Sequence, residues 1–203
     1  TVESIDPVRY LTNRSSGKMG YSIAREAIAR GADVTLISGP TNLSIPQNLK
    51  KFVQIESAQD LYEAVVSNLS ENKIVIQSAA VADYKPKTYS DKKIKKKNDD
   101  LSIELSRNYD IAYEIGKIKE DKILIGFAAE TNDLIEHAKG KIKKKNLDFI
   151  VANDLTKEGA GFRADTNIVK IIDVEGNITE YPKMKKEEVA NVILDKVKAL
   201  LEK

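Results

Sequence analysis

The chain has 203 residues, of which 41% are apolar and 32% charged, with a formal net charge of +2. That size and balance suit one globular domain with its own core and exclude a disordered, fibrous or uniformly basic protein. The absence of cysteine excludes disulfide frameworks, thiol catalysis and cysteine-bound metals. No apolar run approaches the roughly 20 residues that a bilayer span requires, and no signal-peptide pattern opens the chain, so a cytoplasmic protein without a membrane segment is expected.

The opening TVESIDPVR has no strand ahead of it. An α/β domain usually begins on a strand, so a single domain over 1–203 is expected to lack its first one. TNRSSGKMG (12–20) leads into a helical pattern over about 17–30, with Ile23, Ala24, Ala27 and Ile28 on one face and Arg30-Gly31 as its stop. DVTLISGP (33–40) reads as a strand ending in a turn. KIVIQSAAVAD (73–83), KILIGFAAET (122–131) and LDFIVAND (147–154) begin as nearly continuous apolar runs, the pattern of parallel strands covered on both faces. Helical patterns over about 58–70, 109–119 and 131–145 alternate with them. NIVKIIDV and NITEY flank EGN (175–177) as a hairpin, and a last helix carries the stripe Val189, Val192, Ile193, Val197, Leu200 and Leu201. No repeat or linker interrupts the pattern. The prediction is an α/β fold: a doubly wound, mostly parallel Rossmann-like sheet with a C-terminal hairpin and helix.

In open α/β sheets ligands collect beyond the carboxyl ends of the strands. Here those ends are SAAVAD (78–83) with Asp83, GFAAET (126–131) with Phe127, and VAND (151–154) with Asn153. Small residues admit a ligand close to the backbone, and an aromatic ring beside them can stack on a planar group. Against this, alanines also pack helices onto sheets and Phe127 suits a core. Three such endings favour a site. Lysines form two blocks: seven within YKPKTYSDKKIKKKNDD (84–100), which reads as a mobile loop, and KGKIKKKN (139–146) at a helix end, where cations complement the helix dipole. Most are expected on solvated faces, with one or two from each block converging on a polyphosphate. His137, the only histidine, accompanies no serine-nucleophile motif and reads as a surface residue.

TNRSSGKMG is not a P-loop, because Met19 follows Gly17-Lys18 and Thr12 stands where the first glycine belongs. A dinucleotide glycine fingerprint is absent too. Ser15 and Ser16 are expected to cap the helix, while Gly17 and Gly20 clear its first turn, whose N–H groups make an anion site. Lys18 adds charge, and the uncharged amide of Asn13 can donate to a developing oxyanion. An ordinary capped helix start is the plainer alternative.

Taken together, IDPVRYLTNRSSGKMG, RGADVTLISGP, AAVADY, KIKK, IGFAAET and KNLDFIVAND resemble, in order, the motifs of the phosphopantothenoylcysteine synthetase family of coenzyme A biosynthesis. The resemblance spans nearly the whole chain and is to the bacterial, CTP-dependent type. It implies a ligase that joins 4′-phosphopantothenate to L-cysteine through an acyl-cytidylate, using CTP with Mg2+. Carried over on those motifs, Ser15, Gly17 and Gly20 contact the nucleotide phosphates, and Asn13 serves the acyl-cytidylate step. Ala79, Ala80 and Asp83 hold phosphopantothenate or its nucleotidyl intermediate, with Asp83 also near the nucleotide. Lys93, in KIKK, aids the first half-reaction from a closing loop. Phe127, Lys141, Lys145 and Asn153 contact CTP.

NYDI (108–111) stands where the family often has Asn-Pro-Asp-Ile near the nucleobase, which nominates Asp110 and Ile111; Tyr109 replaces the proline. The resemblance further implies a homodimer, no metal ligands that can be named, and in many bacteria fusion to a flavin-dependent decarboxylase. The family's first strand and Gly-Gly-Thr turn are mostly missing. The competing expectation is a non-catalytic nucleotide- or nucleic-acid-binding α/β module, supported by the lysine blocks but not by the aromatics, which form no base-stacking run. An NAD or nucleotide-sugar enzyme lacks its glycine fingerprint.

Overall fold

The computed structural model of the chain describes residues 1–96, 100–130, 134–154, 159 and 161–202. In chain order these contain β1 (Val2–Ser4), β2 (Tyr10–Thr12), α1 (Lys18–Ala29), β3 (Thr35–Ser38), β4 (Lys51–Gln54), α2 (Ala58–Leu69), β5 (Ile74–Gln77), β6 (Tyr84–Pro86), β7 (Leu105–Arg107) and α3 (Ile111–Ile118). There follow β8 (Ile123–Glu130), α4 (Leu134–Lys145), β9 (Phe149–Asp154), β10 (Thr166–Asn167), β11 (Val169–Asp173), β12 (Ile178–Glu180), β13 (Met184–Lys185) and α5 (Lys186–Leu201).

The central sheet has the order β12-β11-β9-β8-β5. β5, β8 and β9 run parallel, in the register Ile76↔Ile125 and Ile125↔Phe149; the hairpin β11–β12 adds two antiparallel strands at one edge. Alternation along the strands feeds two cores. Ile150 and Ala152 of β9 join Leu124 and Ala128 of β8 beneath α2, α3 and α4. Phe149 and Val151 join Ile125, Val169 and Ile171 beneath α1 and α5. This two-sided burial explains why these strands read as continuous apolar runs. α2 begins with a reciprocal capping box: Asp60 N donates to Ser57 Oγ and Ser57 N to Asp60 Oδ2. Val189, Ile193 and Val197 of the predicted α5 stripe are buried, but Leu201, the last residue of the helix, is exposed.

Short pairings that alternation does not reveal complete the fold. β1–β2, β6–β7 and β10–β13 are antiparallel pairs of two or three residues. β6–β7 corrects the reading of 84–100 as a loop: its first residues form a strand, held by Leu105–Arg107 further along; residues 97–99 lie outside the described part. β3 and β4 form a separate parallel pair, which among the described residues has no ladder to β5. Residues of β3 and β5 instead line one cavity together.

Candidate active site

That cavity, of about 1000 Å³, runs past the carboxyl ends of β3 and β5 to Gly126–Ala128 of β8 and Asn153 of β9. Every residue nominated from the sequence lines it except Lys93. The start of α1 forms one wall. Gly17 precedes the helix with φ +77°, a left-handed conformation that suits glycine. Gly20 packs where a Cβ would stand 2.8 Å from Ser78 Oγ, so α1 lies close against the end of β5. The expected Ser15/Ser16 cap is not formed: no side chain caps α1, and Ser16 Oγ instead donates to Phe162 O at 2.7 Å. The first-turn N–H groups are therefore left for an anion. Lys18 Nζ donates to Arg163 O at 3.0 Å and to Asp165 Oδ1 at 2.6 Å. The hydrogen bond from Lys18, with its charge, holds the Asp165 carboxyl below the usual carboxylate range.

Opposite, Asn13 Nδ2 donates to Ala80 O at 3.0 Å, tying the segment before α1 to the segment after β5. Asn108 N donates to Asp83 O at 2.8 Å, which extends the β6–β7 pairing and brings NYDI beside AAVAD. Asp110 caps α3, accepting from Tyr113 N at 3.2 Å, and pairs with Lys145 Nζ at 2.9 Å. Tyr109, in the family's proline position, stacks on Tyr62 with ring centroids 5.9 Å apart. Lys141 and Lys145, one turn apart on α4, share the cavity with Phe127 and the buried Asn153 from adjacent strands. The start of α1, the segment after β5, residues 109–111, Phe127, Asn153 and the two lysines of α4 thus line one opening.

Lys93 is exposed on the segment after β6. Its neighbour Ile94 is anchored by Asp6 and Arg9, which lie in the IDPVR motif but take no assigned role from it. The buried Asp6 carboxylate accepts from Val8 N and Arg9 N, each at 2.9 Å, from Ile94 N at 3.1 Å, and from the Arg9 guanidinium. Arg9 Nη2 also donates to Ile94 O at 2.9 Å. Arg9 above all, with these N–H donors, holds the Asp6 carboxyl well below the carboxylate range. A depressed folded-state value contributes stability above the unfolded pKa, about 3.9, that is lost as pH falls through the folded value. Asp6→Asn is therefore expected to lower Tm at pH 7, with the gap to the native protein closing only below about pH 4; a thermal-melt series across pH checks it.

Among the described residues no three or more carboxylate or imidazole groups converge as a metal cluster, and no helix is long and apolar enough to cross a membrane. His137 is exposed on α4.

Residues 1–201 match the family described as DNA/pantothenate metabolism flavoprotein C-terminal domain. The coenzyme A biosynthesis bifunctional protein CoaBC of Bacillus subtilis (strain 168) is 50% identical over 200 residues, 98% of this chain and 49% of that protein. The chain thus spans about half the length of that relative. The crystal structure of a CoaBC C-terminal domain superposes with a TM-score of 0.84 at 44% identity, covering 100% of this chain and 91% of that one. A Cab2 variant in complex with phosphopantothenate-cysteine shares the fold, with a TM-score of 0.76 at 14% identity over 100% of this chain and 86% of that one. The chain belongs to the DNA/pantothenate metabolism flavoprotein C-terminal domain family, with the α/β fold of the CoaBC C-terminal domain.

Proposed function

We propose that the cavity is the active site of a cytoplasmic phosphopantothenate–cysteine ligase that uses CTP. The observation that carries this reading is the convergence of the uncapped start of α1, Asn13 on Ala80, and Lys141 and Lys145 on one opening. In the reaction the phosphopantothenate carboxylate attacks the α-phosphorus of CTP and displaces pyrophosphate. The cysteine amine then attacks the acyl carbon, loses a proton and displaces CMP. No side chain need act as a nucleophile; positioning and charge neutralisation suffice. Lys141 and Lys145 line a concave site and not a flat face, which favours a small polyanion over a nucleic-acid backbone. The fit for magnesium is with the nucleotide's own phosphate oxygens and water, since the described residues offer no acidic cluster. It would supply charge neutralisation on the triphosphate.

The direct test is pyrophosphate release from CTP on adding phosphopantothenate without cysteine. Release that requires phosphopantothenate is expected; none from the full-length protein would sink the reading. Lys93 is assigned to the first half-reaction, reaching the nucleotide from its anchored segment. Lys93→Gln is expected to slow acyl-cytidylate formation by about tenfold to a hundredfold with Tm unchanged, as single-turnover kinetics would reveal. An unchanged first step would remove Lys93 from the assignment.

The domain is also read as lacking one central strand. Among the described residues β3 and β5 each pair with a single neighbour, and both line the cavity. β5 and most of β3 are only half-buried, whereas Leu124–Gly126 of β8 and Phe149–Asn153 of β9 are buried. A parallel strand supplied from outside residues 1–203 would pair both edges, the central position of a doubly wound sheet. A longer chain containing it is expected to melt higher; an equal Tm would refute this reading. A homodimer is supported by exposed apolar side chains on the two neighbouring hairpins and their connections, among them Val8, Tyr10, Tyr84, Tyr89 and Leu105. Fusion to a flavin-dependent decarboxylase is supported by the bifunctional CoaBC relative, of which this chain matches half.

A further inference from the structure

Lys186 is the first residue of α5 and is only 4% exposed. It lies on the face that carries Val189, Ala190 and Ile193, yet its head group does not meet the apolar core. Nζ donates to Ala164 O at 2.5 Å, to Phe162 O at 3.0 Å and, more distantly, to Gly161 O at 3.5 Å. Three carbonyl oxygens thus satisfy the three donors of a buried ammonium, which would otherwise be costly to hold there. Burial foremost, and the charge of Lys18, push this ammonium below the ordinary lysine value. The Lys186 backbone N–H also donates to Asp165 O at 3.0 Å.

The same turn is held from its other side by the start of α1. Phe162 O accepts from Ser16 Oγ as well as from Lys186, and Arg163 O accepts from Lys18. Thr41 Oγ1 in turn donates to Ser16 O at 3.1 Å. The turn is therefore a bridge between two helix starts, and one carbonyl, that of Phe162, is shared by both. Gly161, Phe162 and Lys186 line the cavity beside Ser16 and Lys18.

We infer that Lys186 is a positioning residue of the anion site: by holding the carbonyls of turn 161–164 it fixes the places of Ser16 and Lys18 at the start of α1. Without its three donors the carbonyls lose their partners, the turn shifts, and Lys18 loses the anchor at Arg163 O that keeps its ammonium at the cavity wall. This inference rests on the nucleotide reading of the site. A residue that only stabilised the fold would lower Tm and leave nucleotide affinity intact.

The test uses the full-length protein with Lys186→Met, which keeps much of the side chain's length and removes the donors, and Lys186→Arg, which restores charge and donors. CTP binding is measured by calorimetry with Mg2+, and KM and kcat by pyrophosphate release. Lys186→Met is expected to weaken CTP binding and raise its KM by about tenfold or more, with kcat changed far less, and Lys186→Arg to recover part of the loss. Equal CTP affinity in the native protein and a folded Lys186→Met variant would overturn the inference. If Lys186→Met does not fold, Lys186→Gln, which keeps donors for one carbonyl, is expected to shift affinity in the same direction by less; an unchanged affinity there overturns it equally. Failure of the native protein to bind CTP would instead overturn the nucleotide reading, and the inference with it.

Discussion

Asn13→Asp is expected to release about one equivalent of pyrophosphate per site from CTP and phosphopantothenate and then to stall, with little CMP formed on adding cysteine. Asn13 Nδ2 donates to Ala80 O at 3.0 Å, so the side-chain amide already stands where Ala79, Ala80 and Asp83 approach the α1 wall. The second half-reaction builds negative charge on the acyl oxygen as the cysteine amine attacks. A neutral amide can donate a hydrogen bond to that oxygen, and a carboxylate cannot. Loss of one such donor typically costs about 10²–10³ in rate. The carboxylate would also set oxygen against the Ala80 carbonyl and loosen the stitch between the two segments. Quench-flow with labelled CTP separates the outcomes. An accumulated acyl-cytidylate supports the second-step role, whereas loss of the pyrophosphate burst would move Asn13 into nucleotide binding.

Gly116→Ala is expected to destabilise the domain by about 1–3 kcal/mol and to lower Tm by about 2–4 °C for each of those kcal/mol. Gly116 lies inside α3, where alanine would ordinarily favour the helix. Here the added Cβ would overlap the backbone carbonyl of Lys145 at the end of α4, and no flexible side chain can move aside. Asn146 Nδ2 donates to Gly116 O at 2.9 Å, and Asn146 itself turns the chain with φ +51°. The two helices therefore meet at a fixed corner that also carries Lys145 and its ion pair with Asp110. Nucleotide affinity should fall along with stability. Gly140→Ala is the control of opposite sign. Gly140 lies in α4, and a methyl group added there would meet nothing within 4 Å, so alanine should stabilise by about 0.5–1 kcal/mol. Thermal melts of the two variants decide: a neutral Gly116→Ala would mean that the corner yields.

The sequence by itself determined the elements that bury continuous or periodic apolar faces. The strands around Ile74–Gln77, Ile123–Glu130 and Phe149–Asp154 arise from nearly continuous apolar runs, and the five helices described from apolar faces of period 3.6. It also nominated residues that line the large cavity, because small residues after parallel strands and a glycine-bearing helix start leave room beside the backbone. Only the tertiary structure decided the polar stitching. Ser16 looks like a cap in sequence, but its hydroxyl is claimed by Phe162 O, 146 positions away. Asp6 and Arg9 anchor Ile94 across more than eighty residues, and β6 finds β7 beyond an intervening lysine-rich segment. Lys186 left one trace, a lysine in register with the buried stripe of α5, but its acceptors are main-chain carbonyls, which carry no residue identity. Hydrophobic burial is written residue by residue along the chain. Hydrogen bonds to backbone carbonyls are not, so the fold decides which segment receives them.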